Sequence, residues 1–320
     1  MFKNKFFAFL SLTVFAVLFL VSCEEDVVGP DPGDKPKPSP ASNLQATSLN
    51  ATTILLTYEI SPSETNTLFK DYLLTWKEAN GPTAGEEKVI LKGTNPFEVT
   101  NLTEGKVYEF TLVARFTNDQ VSSAISVKWS PATRFVETVN SSPISAYETA
   151  SDLGSGIQMF YANEEGPRVR KVANGKDWDF GIRTSDNKII IGSATKLAYN
   201  YPTGQTPDAT QFFNEYFWAN SLDQVFDSKA MNEGDRNQAY SEITFDLTSK
   251  TEQKNVVFYV RKYQPGQTRY NYAKIMMKRP AGGGSFLQGT SPNRYIEFEI
   301  SYQKTVDVPY AKVSNNNSSN

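Results

Sequence analysis

The sequence predicts an all-β protein made of two successive antiparallel β domains. Short runs of alternating apolar and polar residues recur along most of the chain, and turn-forming residues separate them. Such alternation is typical of half-buried strands. Aromatic side chains, which suit β-sheets, are abundant, with 16 Tyr, 21 Phe and 4 Trp. A single stretch, residues 209–227, has apolar residues at helical spacing, and Asp208 could cap it.

Residues 1–22 are predicted to be a lipoprotein signal peptide. Two lysines precede a run of 15 uncharged, mainly apolar residues, 6–20. This run is typical of a secretory signal, and a membrane-spanning helix needs about 20 apolar residues. The following LVSC, residues 20–23, resembles the lipobox of bacterial lipoproteins. The resemblance implies cleavage before Cys23 and acylation of its thiol, which would anchor the chain in a lipid bilayer. The alternative is an ordinary signal peptide with an unrelated cysteine.

Residues 23–40 are predicted to be a lipidated cysteine and a proline-rich tether. Five prolines between residues 27 and 40 favour an extended, semi-rigid segment. The acidic residues 24–26 are similar to those that follow the lipidated cysteine in surface lipoproteins of Bacteroidota. We therefore expect an outer-membrane location, with the chain facing the cell exterior.

The composition argues against an enzyme. The chain has no histidine and one cysteine, Cys23, which acylation would consume. Catalysis through Ser-His-Asp or Cys-His groups is thereby excluded. The net charge is −3, from 32 basic and 35 acidic residues, and no basic cluster suggests a nucleic-acid partner.

Residues 41–134 are predicted to form an antiparallel sandwich. Seven short strands are expected, at 43–49, 52–60, 71–79, 87–93, 97–102, 108–116 and 124–130. The segment resembles a fibronectin type III domain. Tyr108 occupies the place of that family's tyrosine corner, where the hydroxyl bonds back to the backbone. Tyr58 stands where the family usually has tryptophan, and Trp76 lies on the next strand.

Residues 135–146 are expected to be a connector to a second mainly β domain, residues 147–304, followed by a disordered tail, 305–320. Strands are expected at 159–172, 177–184, 187–193, 242–247, 255–263, 272–279 and 294–303. Three motifs, WDF at 178–180, YVR at 259–261 and AKI at 273–275, resemble the signature regions of HmuY-type haem-binding lipoproteins of Bacteroidota. The resemblance implies a haem ligand and a TonB-dependent receptor as partner.

The best-known members of that family hold haem iron with two histidines, and this chain has none. Methionine sulfur is an alternative iron ligand. Met231 and Met159 are the candidates for metal ligation, and Tyr240 is a further candidate for ligand binding. Met276 and Met277 are adjacent in a predicted strand, so we expect one in the core and the other outside. A methionine can equally fill a gap in a hydrophobic core.

Phe217 and Trp218 are further candidates for ligand binding, because adjacent aromatic side chains can line a groove or a sugar platform. The alternative is a helix that packs its aromatic face on a sheet. The function expected from these features is a surface lipoprotein that binds haem or a related ligand through its C-terminal domain. The alternative is a surface adhesin or glycan-binding lipoprotein with a fibronectin-like stalk.

Overall fold

The computed structural model describes residues 35–81, 85–159, 166–171, 178–185, 188–193, 197, 210–225, 242–246, 253–263 and 270–306. The predicted signal peptide, Cys23 and most of the predicted tail lie outside these residues. The prediction of an all-β protein is confirmed, because the described helical elements are short 3₁₀ turns at Pro62–Thr65 and Leu222–Gln224. Within the described ranges, no helix is long and apolar enough to cross a membrane.

Seven strands form the first sandwich. They are β1 Ser42–Asn50, β2 Thr53–Glu59, β3 Phe69–Glu78, β4 Glu86–Ile90, β5 Phe97–Val99, β6 Tyr108–Phe116 and β7 Ile125–Trp129. One sheet has the order β1-β2-β5 and the other the order β4-β3-β6-β7. Every predicted strand of this segment is present, and each contributes at least one buried apolar residue to a single shared core.

The first core confirms the expected aromatic arrangement. Tyr108 is the corner residue, and its hydroxyl accepts a hydrogen bond from the backbone N–H of Thr103 at 3.0 Å. Tyr58 and Trp76 are both buried in this core. The ring of Tyr58 meets Tyr72 edge-on at 4.9 Å, a favourable geometry for aromatic pairs.

Eleven strands follow in the described residues. They are β8 Thr133–Phe135, β9 Ile144–Tyr147, β10 Gly156–Gln158, β11 Arg168–Arg170, β12 Phe180–Ser185, β13 Lys188–Gly192, β14 Thr210–Ala219, β15 Glu242–Asp246, β16 Asn255–Tyr263, β17 Tyr270–Lys278 and β18 Tyr295–Tyr302. A five-stranded sheet has the order β11-β10-β12-β13-β15. A six-stranded sheet has the order β14-β16-β17-β18-β8, and its sixth strand, β9, also pairs with β18. The two sheets enclose a second hydrophobic core.

The predicted helix at residues 209–227 is wrong. Residues Thr210–Ala219 form β14, which pairs antiparallel with β16, and only Leu222–Gln224 make a 3₁₀ turn. The helical interpretation depended on Phe212, Tyr216 and Val225, and the first two are four residues apart. That spacing also fits a strand, since residues i and i+4 share one face at period two. Asp208, the expected cap, lies outside the described residues.

Strands at the two ends of the segment predicted as a connector, 135–146, belong to the second sandwich. β8 pairs with the end of β18 at Ile300–Tyr302, and β9 pairs with its start at Tyr295–Phe298. The described residues from 37 onward belong to one compact unit. The first sandwich therefore passes into the six-stranded sheet through a hydrogen-bonded strand.

Candidate functional site

The six-stranded sheet is buried on both faces where it meets the first sandwich. Met277 points into the second core, whereas Met276 points to the opposite face and joins the hydrophobic cluster of the first sandwich. The expected alternation is confirmed, but Met276 is only 4% exposed, so the expectation that one methionine lies outside is wrong. The same cluster includes Val257 and Tyr259 on β16, together with Leu222 and Val225 beyond β14.

Lys274 is the centre of this buried contact, and its side chain is almost fully enclosed. The ammonium donates to Thr47 Oγ1 on β1 at 2.6 Å, and to the carbonyls of Leu222 and Val225 at 2.9 and 3.3 Å. It therefore joins the first sandwich, β17 and the segment after β14. Burial lowers the pKa of Lys274 to about 7 from 10.5, and Asp223 opposes this shift.

Further polar contacts surround Lys274. Arg134 on β8 donates to Asp223 Oδ1 at 2.6 Å and also forms an ion pair with Glu299. The side-chain amide of Gln303 donates to the carbonyl of Ser130 at 2.7 Å. Paired charges and hydrogen bonds make a buried contact specific in geometry, although Gln303 Oε1 has no hydrogen-bond partner among the described residues. We call these residues, with Lys274 and the apolar cluster, the junction.

The WDF motif is structural. Trp178 is buried against β10 and β12, and a Cβ added to Gly156 would lie 2.8 Å from its ring. Asp179 is buried at the start of β12 and forms an ion pair with Lys262 on β16. Its other oxygen accepts from the backbone N–H of Met159. Asp179 thus joins the two sheets of the second sandwich.

The other predicted site residues do not converge on one cleft. Met159 is fully buried in the second core. Phe217 is partly buried against the junction, with its ring edge-on to Tyr259 at 6.1 Å. Trp218 lies on the opposite face, near Phe286. Met231 and Tyr240 lie outside the described residues, and within the described ones no cluster of His, Cys, Asp or Glu could hold a metal ion.

The described surface carries depressions on both sandwiches. Two of them, of about 430 and 380 Å³, lie beside β3 and β4 near Trp76, and charged strand residues line them. A third, of about 370 Å³, lies over β9 and β18 and is lined by Tyr147 and Tyr295. Neither tyrosine was predicted as a site residue, because Tyr147 follows the predicted connector and no local pattern indicates the pairing of β9 with β18. The available signal in the sequence was that Tyr295, Glu297 and Glu299 alternate with apolar residues, which indicates a strand with these three side chains on one face.

The sequence profile of the fibronectin type III family matches residues 36–127. These residues are a fibronectin type III domain. The match agrees with the seven strands and with the corner at Tyr108. A comparison with the curated proteins finds no significant match.

Solved structures similar to the chain include single domains of this type. The fibronectin type III domain of the human collagen α1(XX) chain is 19% identical, covering 32% of this chain and 93% of that one, with a TM-score of 0.27. The FN5 domain of Drosophila Lar is 23% identical, covering 29% and 97%, with a TM-score of 0.24. A computationally redesigned β-sandwich protein is 22% identical, covering 30% and 91%, with a TM-score of 0.26.

Proposed function

We propose that this chain is a lipid-anchored surface protein in which the fibronectin type III domain is a rigid stalk for a ligand-binding C-terminal sandwich. The junction is the observation that carries this proposal. A flexible linker between two domains would leave their facing surfaces polar and hydrated. Here apolar residues of both sandwiches share one cluster, and Lys274 bonds across it. Such a connection fixes the direction in which the C-terminal sandwich is presented.

The anchor and the orientation can be tested in cells. Wild-type protein should fractionate with the outer membrane, and the Cys23→Ser variant should be released, because it lacks the acylated thiol. Protease added to intact cells should remove the C-terminal sandwich. Survival of the protein until the outer membrane is broken would contradict the surface location. Membrane retention of the Cys23→Ser variant would contradict the lipid anchor.

Haem remains a candidate ligand through the resemblance of residues 147–304 to HmuY-type proteins. The sulfur atoms of Met159, Met276 and Met277 are buried in hydrophobic clusters, which leaves Met231 as the thioether candidate and Tyr240 as the alternative. Titration of the purified chain with haemin tests this, with a stoichiometric Soret shift expected. Met231→Ala should abolish the shift, and the matched Met276→Leu should retain it. No spectral change in either redox state would exclude iron ligation.

A further inference from the structure

The depression over β9 and β18 has the features of a small binding groove. Tyr147 and Tyr295 are directly opposite each other in the antiparallel register, and their ring centroids are 5.6 Å apart at an angle of 44°. Both rings are half-buried and so held in place. Leu153, which is 55% exposed, and Val169 on β11 also line the groove. Its volume of about 370 Å³ is within the range of small-ligand sites.

The polar atoms of the groove have capacity left for a ligand. Among the described residues, the hydroxyls of Tyr147 and Tyr295 have no hydrogen-bond partner, and each can donate and accept. Glu297 uses one carboxylate oxygen in an ion pair with Lys278, at 2.5 Å. Its other oxygen remains an acceptor. A ligand rich in hydroxyl groups would match this set of donors and acceptors.

The charge of the groove favours a neutral ligand. Glu297 is the one charged residue in the lining, and the ammonium of Lys278 compensates it. An anionic ligand would therefore meet a carboxylate without a free cation beside it. Apolar C–H faces of a ligand can lie on the two rings while its polar groups reach the hydroxyls, since aromatic side chains combine an apolar body with a polar tip.

We infer that the groove between Tyr147 and Tyr295 binds a neutral oligosaccharide. The rings contact the sugar faces, while the two phenol groups and Glu297 hydrogen-bond to sugar hydroxyls. This inference deepens the proposed function and rests on it, because it names the ligand class that the C-terminal sandwich would bind.

Affinity electrophoresis of the full chain in detergent tests the inference, with soluble starch, xylan or mannan in the gel. Retardation of the wild type by at least one polysaccharide is expected. Tyr147→Ala and Tyr295→Ala should each weaken binding by about tenfold or more. The matched control is Tyr216→Ala, which removes a tyrosine that is 43% exposed on β14, away from the groove, and should leave retardation unchanged.

The Phe variants keep the test decisive where an alanine variant fails to fold. Tyr147→Phe and Tyr295→Phe retain the rings and lose the hydroxyls, so weaker binding with unchanged thermal unfolding is expected. Absence of retardation by all three polysaccharides would overturn the inference, as would binding that no groove variant alters. Neither result would contradict the proposal of a lipid-anchored stalk, because cell fractionation and protease treatment of intact cells test that proposal separately.

Discussion

Lys274 shows how a single residue links the two sandwiches. Its ammonium donates hydrogen bonds to Thr47 on β1 and to backbone carbonyls in the segment after β14. Burying a cation is costly even so, and the lowered pKa of about 7 expresses that cost. The charged groups that face it are Arg134, Asp223 and Glu299. Lys274 therefore helps to fix how the two sandwiches contact each other. It also makes the stability of the junction dependent on pH.

The first prediction concerns this pH dependence. Between pH 7 and 10.5 the unfolded chain binds the Lys274 proton more readily than the folded chain, so stability should rise with pH. The expected rise is about 1 kcal/mol per pH unit in that window. Urea unfolding at pH 7, 8 and 9 measures it. Lys274→Met should lack the rise, whereas Lys128→Met, at an exposed position on β7, should retain the wild-type profile.

The second prediction concerns the buried ion pair of Asp179 and Lys262. Asp179→Ala would leave the Lys262 ammonium without this carboxylate in a buried position, which should lower the free energy of unfolding by about 3–5 kcal/mol. Urea unfolding at neutral pH gives the value. Asp152→Ala is the control, because Asp152 is 98% exposed in its pair with Lys171 and should change stability by less than about 0.5 kcal/mol. A small loss for Asp179→Ala would show that the pair is dispensable.

At the scale of elements, the sequence predicted strands well where one face is buried and the other is exposed. β6 of the fibronectin type III domain alternates clearly, because every second residue is buried. β14 was misjudged because the spacing of its aromatic residues fits both a helix and a strand. β8 and β9 have three and four residues, and what defines them is pairing with β18, which is distant in sequence. Local patterns do not contain that information.

The third prediction concerns the close approach of β10 to Trp178. A methyl group at position 156 would lie 2.8–3.0 Å from three atoms of Trp178, which is itself buried. Gly156→Ala should therefore lower the free energy of unfolding by about 1–3 kcal/mol through overpacking. Gly93→Ala is the comparison variant. Position 93 has a positive φ of 78° and open space around it, so the loss of stability in this variant reports backbone strain without overpacking. Pairing Gly156→Ala with Trp178→Leu should recover part of the loss, and no recovery would contradict the packing explanation.

At the scale of the whole molecule, the junction was the feature that sequence could not reveal. Met276 and Lys274 lie on the face of β17 that a single sandwich would expose. Their burial depends on the first sandwich and on residues 222–225, which come from elsewhere in the chain. The sequence predicted a connector at 135–146 between two domains, and in the described structure β8, at its start, pairs with β18 of the second sandwich.

The fourth prediction is that the two sandwiches unfold together. Because they share a hydrophobic cluster and a strand connection, removing one exposes apolar surface of the other. Calorimetry should show one transition whose calorimetric and van't Hoff enthalpies agree. Two resolved transitions would mean that the junction does not couple the domains.

The rigid stalk is tested most directly by the distance between one spin label on each sandwich. In a Cys23→Ser background, labels at Glu87→Cys on β4 and Asp152→Cys after β9 would report this distance by pulsed electron resonance, since both sites are exposed. The control pair has both labels in the first sandwich, at Glu87→Cys and Lys128→Cys. It gives the width of the distance distribution that is expected within a rigid body. A rigid stalk should give a single distance distribution as narrow as that of the control pair. A broad or bimodal distribution between the sandwiches would contradict it.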